Sequence, residues 1–203
     1  MDNRRPSQGL FDEYLEMFGP ETVSSYRARK VMILNAKRLT LRPWDARDID
    51  VLPQIANDRR IWRNVRDGFP SPYDRAAAEG WITLCEKGAM PHTFAIEVEG
   101  RAIGGIGLHP FDDVHRKSAE LGYWLGVDFW GRGYATEAVQ TIVPHGFNQL
   151  GIERIQAGVY AWNESSARVL VKSGFDYEGR MRRHAFKDEQ FVDVLLYARL
   201  RAA

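Results

Sequence analysis

Cysteine is almost absent from this sequence of 203 residues, because Cys85 is the single example. One cysteine excludes an internal disulfide and a metal site built from several thiolates, and we expect no metal. Cys85 lies inside a helix-like segment at 75–88. We therefore expect it to be a small, packed apolar residue rather than a nucleophile.

The sequence also lacks an excess of either charge and any long hydrophobic run. Formal net charge is +1, which gives no general electrostatic reason to expect a nucleic acid or an anionic membrane as partner. The longest apolar stretches have the size of strands, well short of the roughly 20 residues that span a bilayer. The first residues, MDNRRPSQG, lack the apolar core of a signal peptide, so the cytoplasm is the expected compartment.

Residues 1–35 differ from the rest of the chain, and we expect them to form an N-terminal arm. The stretch LFDEYLEMF at 10–18 predicts a short amphipathic helix, whereas SSYRARKVM at 24–32 is basic and irregular. The arm either packs on the domain or stays mobile, and a targeting or partner-binding segment is the alternative. Residues 36–203 are expected to form one domain without internal repeats.

Strand-like and helix-like patterns alternate from Arg38 onward. Strands are predicted at 38–44, 92–99, 101–109, 118–127 and 152–162, with two more that close the chain. Helices are predicted at 45–58 with a bend at Pro53, at 75–88, at about 135–150 and within 163–174. This mixture, with one strand–helix–strand unit in the C-terminal half, indicates an α+β sandwich around a mixed sheet.

A glycine-rich turn, DFWGRGYATEA at 128–138, joins a predicted strand to a predicted helix. Backbone N–H groups converge at such a turn, and the helix dipole adds about half a positive charge, so the turn can bind an anion. An ordinary turn is the alternative. Gly131 and Gly133 permit close approach, and Arg132 offers a charge-assisted contact. No lysine follows the glycines, which excludes a nucleoside-triphosphate loop, and Thr136 stands where the dinucleotide motif requires glycine.

The stretch GYWLGVDFWGRGYATEAV at 122–139 resembles the coenzyme A signature of the GNAT superfamily of N-acetyltransferases. WGRGYA fits the family pattern Gln/Arg-x-x-Gly-x-Gly/Ala, with Trp130 in place of the usual polar residue. Tryptophan is frequent there in the subgroup that resembles bacterial ribosomal-protein N-terminal acetyltransferases. Other segments resemble this subgroup in order and spacing from about residue 38 onward, among them LTLRPWDARDIDVL, FAIEVEGRAIGGIGL, NESSARVLVKSGF and FVDVLLYARL.

The resemblance implies a fold and a co-substrate. In this superfamily, helices cover both faces of a mixed, mostly antiparallel sheet of six to seven strands, and the fourth and fifth strands splay apart in a V. Acetyl-CoA is the implied co-substrate and lies in that gap. The residues implied to bind it are Leu125, Gly126 and Val127 through the backbone, then Trp130, Gly131, Arg132, Gly133, Tyr134, Ala135 and Thr136, and finally Asn163 beside the pantetheine arm.

Acetylation of an amine needs a group that removes a proton, because an amine with a pKa of about 10 is mostly protonated at neutral pH. Glu120 is the predicted general base, since a carboxylate in mid-strand needs a reason to be buried; a structural ion pair is the alternative. His109 and His184 are rival bases, and a water chain is a further alternative. Many family members use a tyrosine acid where Leu170 stands here. Ser166 matches the serine of the subgroup and is the predicted substitute, with helix capping as its alternative role.

The acceptor pocket is predicted from aromatic residues on the loop at 61–74 and its neighbours. These are Trp62, Phe69, Tyr73, Trp81 and Phe94, for each of which the core is the alternative location. Asp67 and Asp74 are expected to attract a cationic amine. The acceptor is either a protein N-terminus or a small-molecule amine, and we expect a monomer or a homodimer. The alternative function is that of a non-catalytic, regulatory acyl-CoA-binding module.

Overall fold

A computed structural model describes residues 32–202, which form an eight-stranded sheet with helices on both faces. The strands are β1 (Leu34–Asn35), β2 (Thr40–Arg42), β3 (Thr93–Val98), β4 (Arg101–Pro110), β5 (Ser118–Leu125), β6 (Arg154–Tyr160), β7 (Asp176–Lys187) and β8 (Gln190–Leu200). The α-helices are α1 (Leu52–Ala56), α2 (Arg59–Trp62), α3 (Arg75–Glu86), α4 (Tyr134–Gln149) and α5 (Glu164–Lys172). Among the described residues, no helix is long and apolar enough to cross a membrane.

The sheet has the order β1-β2-β3-β4-β5-β6-β8-β7, and every neighbouring pair is antiparallel except β5 and β6. This confirms the predicted mixed, mostly antiparallel sheet. The additional strand is β1, which has two residues and pairs with β2, so the last residues of the predicted arm belong to the sheet. The predicted helix at 10–18 lies outside the described residues.

The predicted helix at 45–58 is broken in the structure. A short 3-10 helix at Ala46–Asp48 comes first, then α1, and α2 begins as a separate helix at Arg59. Proline lacks a backbone N–H and is best tolerated in the first turn of a helix, which is where Pro53 lies in α1. Asp58 starts α2 by accepting a hydrogen bond from the Arg60 N–H at 2.8 Å.

Side chains alternate between the two faces of the sheet and form a core on each. On one face, Leu121 and Leu125 of β5 belong to the buried cluster that includes Ile142 of α4. On the other face, Trp124 packs with the cluster that includes Trp44. Cys85 packs against this second cluster, and burial raises the pKa of its thiol, as expected of a packed residue rather than a nucleophile.

The two parallel strands separate soon after they begin to pair. The register joins residues 118–120 of β5 to residues 154–156 of β6, and no pairing continues beyond these residues. This confirms the predicted splay between the fourth and fifth predicted strands. Helix α4 follows β5, and helix α5 follows β6, so the first turns of both helices border the gap.

Candidate active site

A cleft of about 2870 Å³ opens where β5 and β6 separate. Its walls come from β4, β5 and β6, from the first turns of α4 and α5, from part of β7 and from the loop at 61–74. The predicted acceptor residues Phe69, Tyr73 and Trp81 line the cleft. Trp62 and Phe94 do not line it, because Trp62 lies against Lys187 and Phe94 is buried in the core beside His145.

The glycine-rich turn leaves a run of backbone donors without partners. Gly131 and Gly133 both adopt left-handed conformations, with φ of 74° and 81°, which glycine reaches without a steric penalty. Gly133 is the N-cap of α4. Among the described residues, the N–H groups of residues 131–136 have no hydrogen-bond acceptor. Six consecutive donors at the positive end of a helix form a site suited to an anion.

The backbone edge of β5 faces the gap beside this turn. The Gly126 N–H donates to the Ile103 carbonyl on β4, at 2.8 Å. Because successive residues of a strand direct their backbone groups to opposite sides, those of Tyr123 and Leu125 point into the gap. The Trp130 indole N–H donates to the Leu125 carbonyl at 2.8 Å, so Trp130 closes this edge. Within the described part of the chain, the N–H and C=O of Tyr123 and the N–H of Leu125 are among the groups on this edge that have no partner.

Not every residue implied to bind the co-substrate lies on the cleft wall. Leu125, Trp130, Gly131, Gly133, Tyr134, Ala135, Thr136 and Asn163 line it. Gly126, Val127 and Arg132 do not line it. A Cβ atom at Gly126 would lie 3.2 Å from Ile55, a tight contact, so this glycine packs closely against α1. The Arg132 guanidinium lies near the Phe129 ring, 5.9 Å from its centroid.

A tyrosine that the sequence reasoning missed contacts the predicted acid. The Tyr123 hydroxyl lies 2.7 Å from Ser166 Oγ and 3.1 Å from the Ser166 carbonyl oxygen. Burial raises the pKa of Tyr123, which keeps its hydroxyl protonated at neutral pH. The helix cap is supplied by Asn163, whose Oδ1 accepts the Ser166 N–H at 3.1 Å. The Ser166 hydroxyl is therefore not the cap of α5.

The predicted base lies on the cleft wall, opposite a histidine. Glu120 of β5 is in register with His109 of β4, so both side chains lie on the same face. Glu120 forms an ion pair with the exposed Arg66 from the loop at 61–74. Burial lowers the pKa of His109, which keeps its imidazole neutral at pH 7. His109 Nε2 lies close to Gly107 and Gly122, at 3.3 and 3.9 Å from where their Cβ atoms would be, so these glycines leave room beside it.

The loop at 61–74 contacts β7 and the residues that follow β6, through an ion pair and a hydrogen bond. The buried Lys187 of β7 pairs with Asp67 of this loop at 2.5 Å and lies 3.7 Å from the centroid of the Trp62 ring. The Trp162 indole donates to Asn64 Oδ1 at 3.1 Å. Of the two carboxylates expected to attract an amine, Asp67 is therefore held by Lys187. The other, Asp74, caps α3.

Comparison with known proteins gives the same family throughout. Residues 38–176 match the model of the acetyltransferase (GNAT) domain family. The uncharacterized N-acetyltransferase p20 of Bacillus licheniformis is 30% identical over 174 residues, which are 83% of this chain and 96% of that protein. The ribosomal-protein-serine acetyltransferase of Escherichia coli is 29% identical, over 62% of this chain and 69% of that protein.

Other relatives extend the comparison to a small amine and to a solved complex. The spermidine N(1)-acetyltransferase of Escherichia coli is 25% identical, over 79% of this chain and 85% of that protein. The solved structure of Mycobacterium smegmatis RimJ in complex with CoA-disulfide superposes with a TM-score of 0.72 at 27% identity, over 84% of this chain and 86% of that one. The chain therefore belongs to the GNAT acetyltransferase family, and its homologues include ribosomal-protein acetyltransferases.

Proposed function

We propose that this protein transfers the acetyl group of acetyl-CoA to a primary amine while both substrates are bound. The observation that carries the proposal is the run of free N–H groups at residues 131–136, beside the open edge of β5. A diphosphate fits these donors without any side chain. The linear, amide-containing pantetheine arm fits the free backbone groups of Tyr123 and Leu125, and Asn163 borders the same path.

Acetyl-CoA supplies a thioester whose carbonyl carbon is open to attack by an uncharged amine. Glu120 is the proposed general base that removes the proton of the acceptor ammonium. In the structure the Glu120 carboxylate is paired with Arg66, so the incoming ammonium has to displace the Arg66 guanidinium. This exchange keeps the carboxylate paired before the proton moves.

His109 is the second candidate for the base, because its neutral imidazole is ready to accept a proton at pH 7. The two candidates predict different pH profiles. A histidine base loses activity as pH falls through its pKa, below about 6.5, whereas a carboxylate base retains activity to lower pH. The pH dependence of kcat/KM therefore distinguishes them.

Ser166 is the proposed acid that donates a proton to the leaving sulfur and regains one from solvent. Tyr123 supports this role by positioning Ser166: its hydroxyl donates to the Ser166 carbonyl oxygen at 3.1 Å and lies 2.7 Å from Ser166 Oγ in a hydrogen bond that either hydroxyl can donate. The family tyrosine is replaced here by Leu170, which is fully buried and has no polar group to offer. Ser166 is therefore the proposed substitute for that tyrosine, and Tyr123 of β5 is its proposed positioning residue.

A protein or peptide N-terminus is the proposed acceptor, and a small-molecule amine is the alternative. The cleft continues past the splay along β7, where His184 and Met181 line it, and this length favours an extended chain over a compact metabolite. The homologous enzymes act on a ribosomal protein in one case and on spermidine in another. We place the reaction in the cytoplasm, with a monomer or a homodimer as the active species.

The direct test is to incubate the protein with acetyl-CoA and an amine panel, and to follow thiol release. The panel contains short peptides with free N-termini, matched peptides with blocked N-termini, polyamines and amino-acid amides. We expect release with free peptides and none with the blocked ones. Tight CoA binding without release for any amine would instead favour the regulatory binding module. Release with polyamines alone would contradict the peptide acceptor.

A further inference from the structure

Arg38, in the turn between β1 and β2, contacts the glycine-rich turn from outside the cleft. Its backbone N–H and its Nε both donate to the Glu137 carboxylate, each at 2.7 Å. Its Nη1 donates to the Arg132 carbonyl at 3.0 Å, and its guanidinium lies 5.0 Å from the centroid of the Tyr134 ring. Arg38 does not line the cleft. One side chain therefore joins three neighbouring parts of the turn, across 99 residues of sequence from Arg38 to Glu137.

The contact with the Arg132 carbonyl fixes the direction of the next N–H group. In a trans peptide unit, the C=O of one residue and the N–H of the next point in opposite directions. Because the Arg132 carbonyl points toward Arg38, the Gly133 N–H points away from Arg38. Gly133 itself lines the cleft, so its N–H is directed toward the side where an anion would bind. The bond from Arg38 selects this orientation of a peptide that Gly133, which lacks a Cβ, would otherwise leave freer to rotate.

Arg38 also compensates a charge that would oppose anion binding. Glu137 lies in the first turn of α4, next to the free donors of residues 131–136. An unpaired carboxylate at that position would repel a diphosphate. Both of its oxygens are engaged by Arg38, and the Glu137 side chain is 16% exposed. The ion pair therefore leaves the helix terminus with its positive potential.

We propose that Arg38 is a positioning residue for the diphosphate of the acetyl donor, acting through the Arg132–Gly133 peptide and through Glu137. This inference rests on the proposed function, because it assumes that a coenzyme A thioester occupies the cleft. Arg38 thus contributes to donor recognition, although it precedes β2 and lies far from the glycine-rich turn in sequence. Arg38 acts on the diphosphate end of the donor and leaves the pantetheine end unaffected.

The test compares two donors that differ only at the end that Arg38 serves. Arg38→Ala is titrated with CoA by calorimetry and assayed with acetyl-CoA and with S-acetyl pantetheine, which lacks the diphosphate and the nucleotide. We expect the Kd for CoA to rise about tenfold, as for the loss of one charge-assisted hydrogen bond. The kcat/KM for S-acetyl pantetheine should stay at the wild-type value. Arg47→Ala, which removes an exposed arginine paired with Asp45, is the matched control. It should change neither the Kd for CoA nor the kcat/KM for S-acetyl pantetheine.

Two results would overturn the assignment. One is an Arg38→Ala protein that binds CoA as tightly as the wild type. The other is an equal loss of kcat/KM with acetyl-CoA and with S-acetyl pantetheine, because such a loss indicates a general structural defect. If Arg38→Ala does not fold, Arg38→Lys is titrated with CoA in its place. A single ammonium cannot reach both the Glu137 carboxylate and the Arg132 carbonyl with fork geometry, so the lysine variant should also lose CoA affinity. Failure of the wild type to bind CoA would contradict the proposed function instead, and the two failures are thus distinguishable.

Discussion

Alanine at Gly131 or Gly133 should weaken CoA binding through the backbone conformation of the turn. Both residues have φ near the left-handed value, which costs a residue with a Cβ about 1–2 kcal/mol. If the free turn relaxes out of this conformation, binding has to restore it, and the Kd for CoA should rise about five- to thirtyfold. A Cβ at Gly131 would meet no atom within 4 Å, whereas one at Gly133 would lie 3.3 Å from Arg38 Nη2. The loss of CoA affinity should therefore be larger for Gly133→Ala than for Gly131→Ala.

Gly100→Ala is the matched control for this prediction. Gly100 has φ of 78° and no atom within 4 Å of a would-be Cβ, but it lies in the turn between β3 and β4, away from the cleft. It should lower the free energy of unfolding by a similar 1–2 kcal/mol and leave the Kd for CoA unchanged. Calorimetric titration and thermal unfolding measure the two quantities. Folded Gly131→Ala and Gly133→Ala proteins that bind CoA like the wild type would refute the assignment of the turn.

Three further predictions concern proton transfer and stability. Glu120→Gln should lower turnover at pH 7 more than tenfold with the Kd for CoA unchanged, and an unaltered rate would remove Glu120 as the base. Tyr123→Phe should lower kcat about two- to tenfold, as for one neutral hydrogen bond. Combined with Ser166→Ala it should cost no more than the serine change alone, and additive losses would show that the two hydroxyls act separately. Burial lowers the pKa of His145, whose nitrogens have no partner among the described residues, so the unfolded chain binds that proton more readily. Unfolding free energy should therefore fall as pH drops below about 6.5, and in urea titrations His145→Leu should flatten this trend.

The sheet could be predicted from the sequence because its strands carry period-two patterns and its turns carry glycine. The two-residue strand β1 is too short to show a pattern, and its pairing with β2 depends on tertiary contacts. The helix predicted at 45–58 with a bend at Pro53 is divided further in the structure, because Pro53 lies in the first turn of α1 and the capping Asp58 starts α2. Local rules thus explain the break once both residues are considered together.

The glycine-rich turn could be predicted because its chemistry depends on neighbouring residues. Glycine spacing and a following helix determine where the N–H groups point, and both are visible over a few residues of sequence. Arg38 and Tyr123 were missed for the opposite reason. Their partners, Glu137 and Ser166, lie 99 and 43 residues away, and only the fold brings these pairs together.

The acceptor side of the cleft was the hardest part to predict. Core and pocket aromatics follow the same sequence patterns, so Phe69 lines the cleft while Phe94 is buried away from it. Asp67 was expected to attract an amine, but its partner in the fold is Lys187. Charge pairing between distant elements determines which carboxylates remain available, and a linear sequence does not show it.

The central claim is that the free N–H groups of residues 131–136 bind the diphosphate of the acetyl donor. The most direct measurement follows the backbone amide signals of these six residues by NMR during titration with CoA and, separately, with pantetheine. We expect large shifts of these signals with CoA and little change with pantetheine, while the Tyr123 and Leu125 amides respond to both. Saturable CoA binding that leaves the signals of residues 131–136 unmoved would contradict diphosphate binding at this turn.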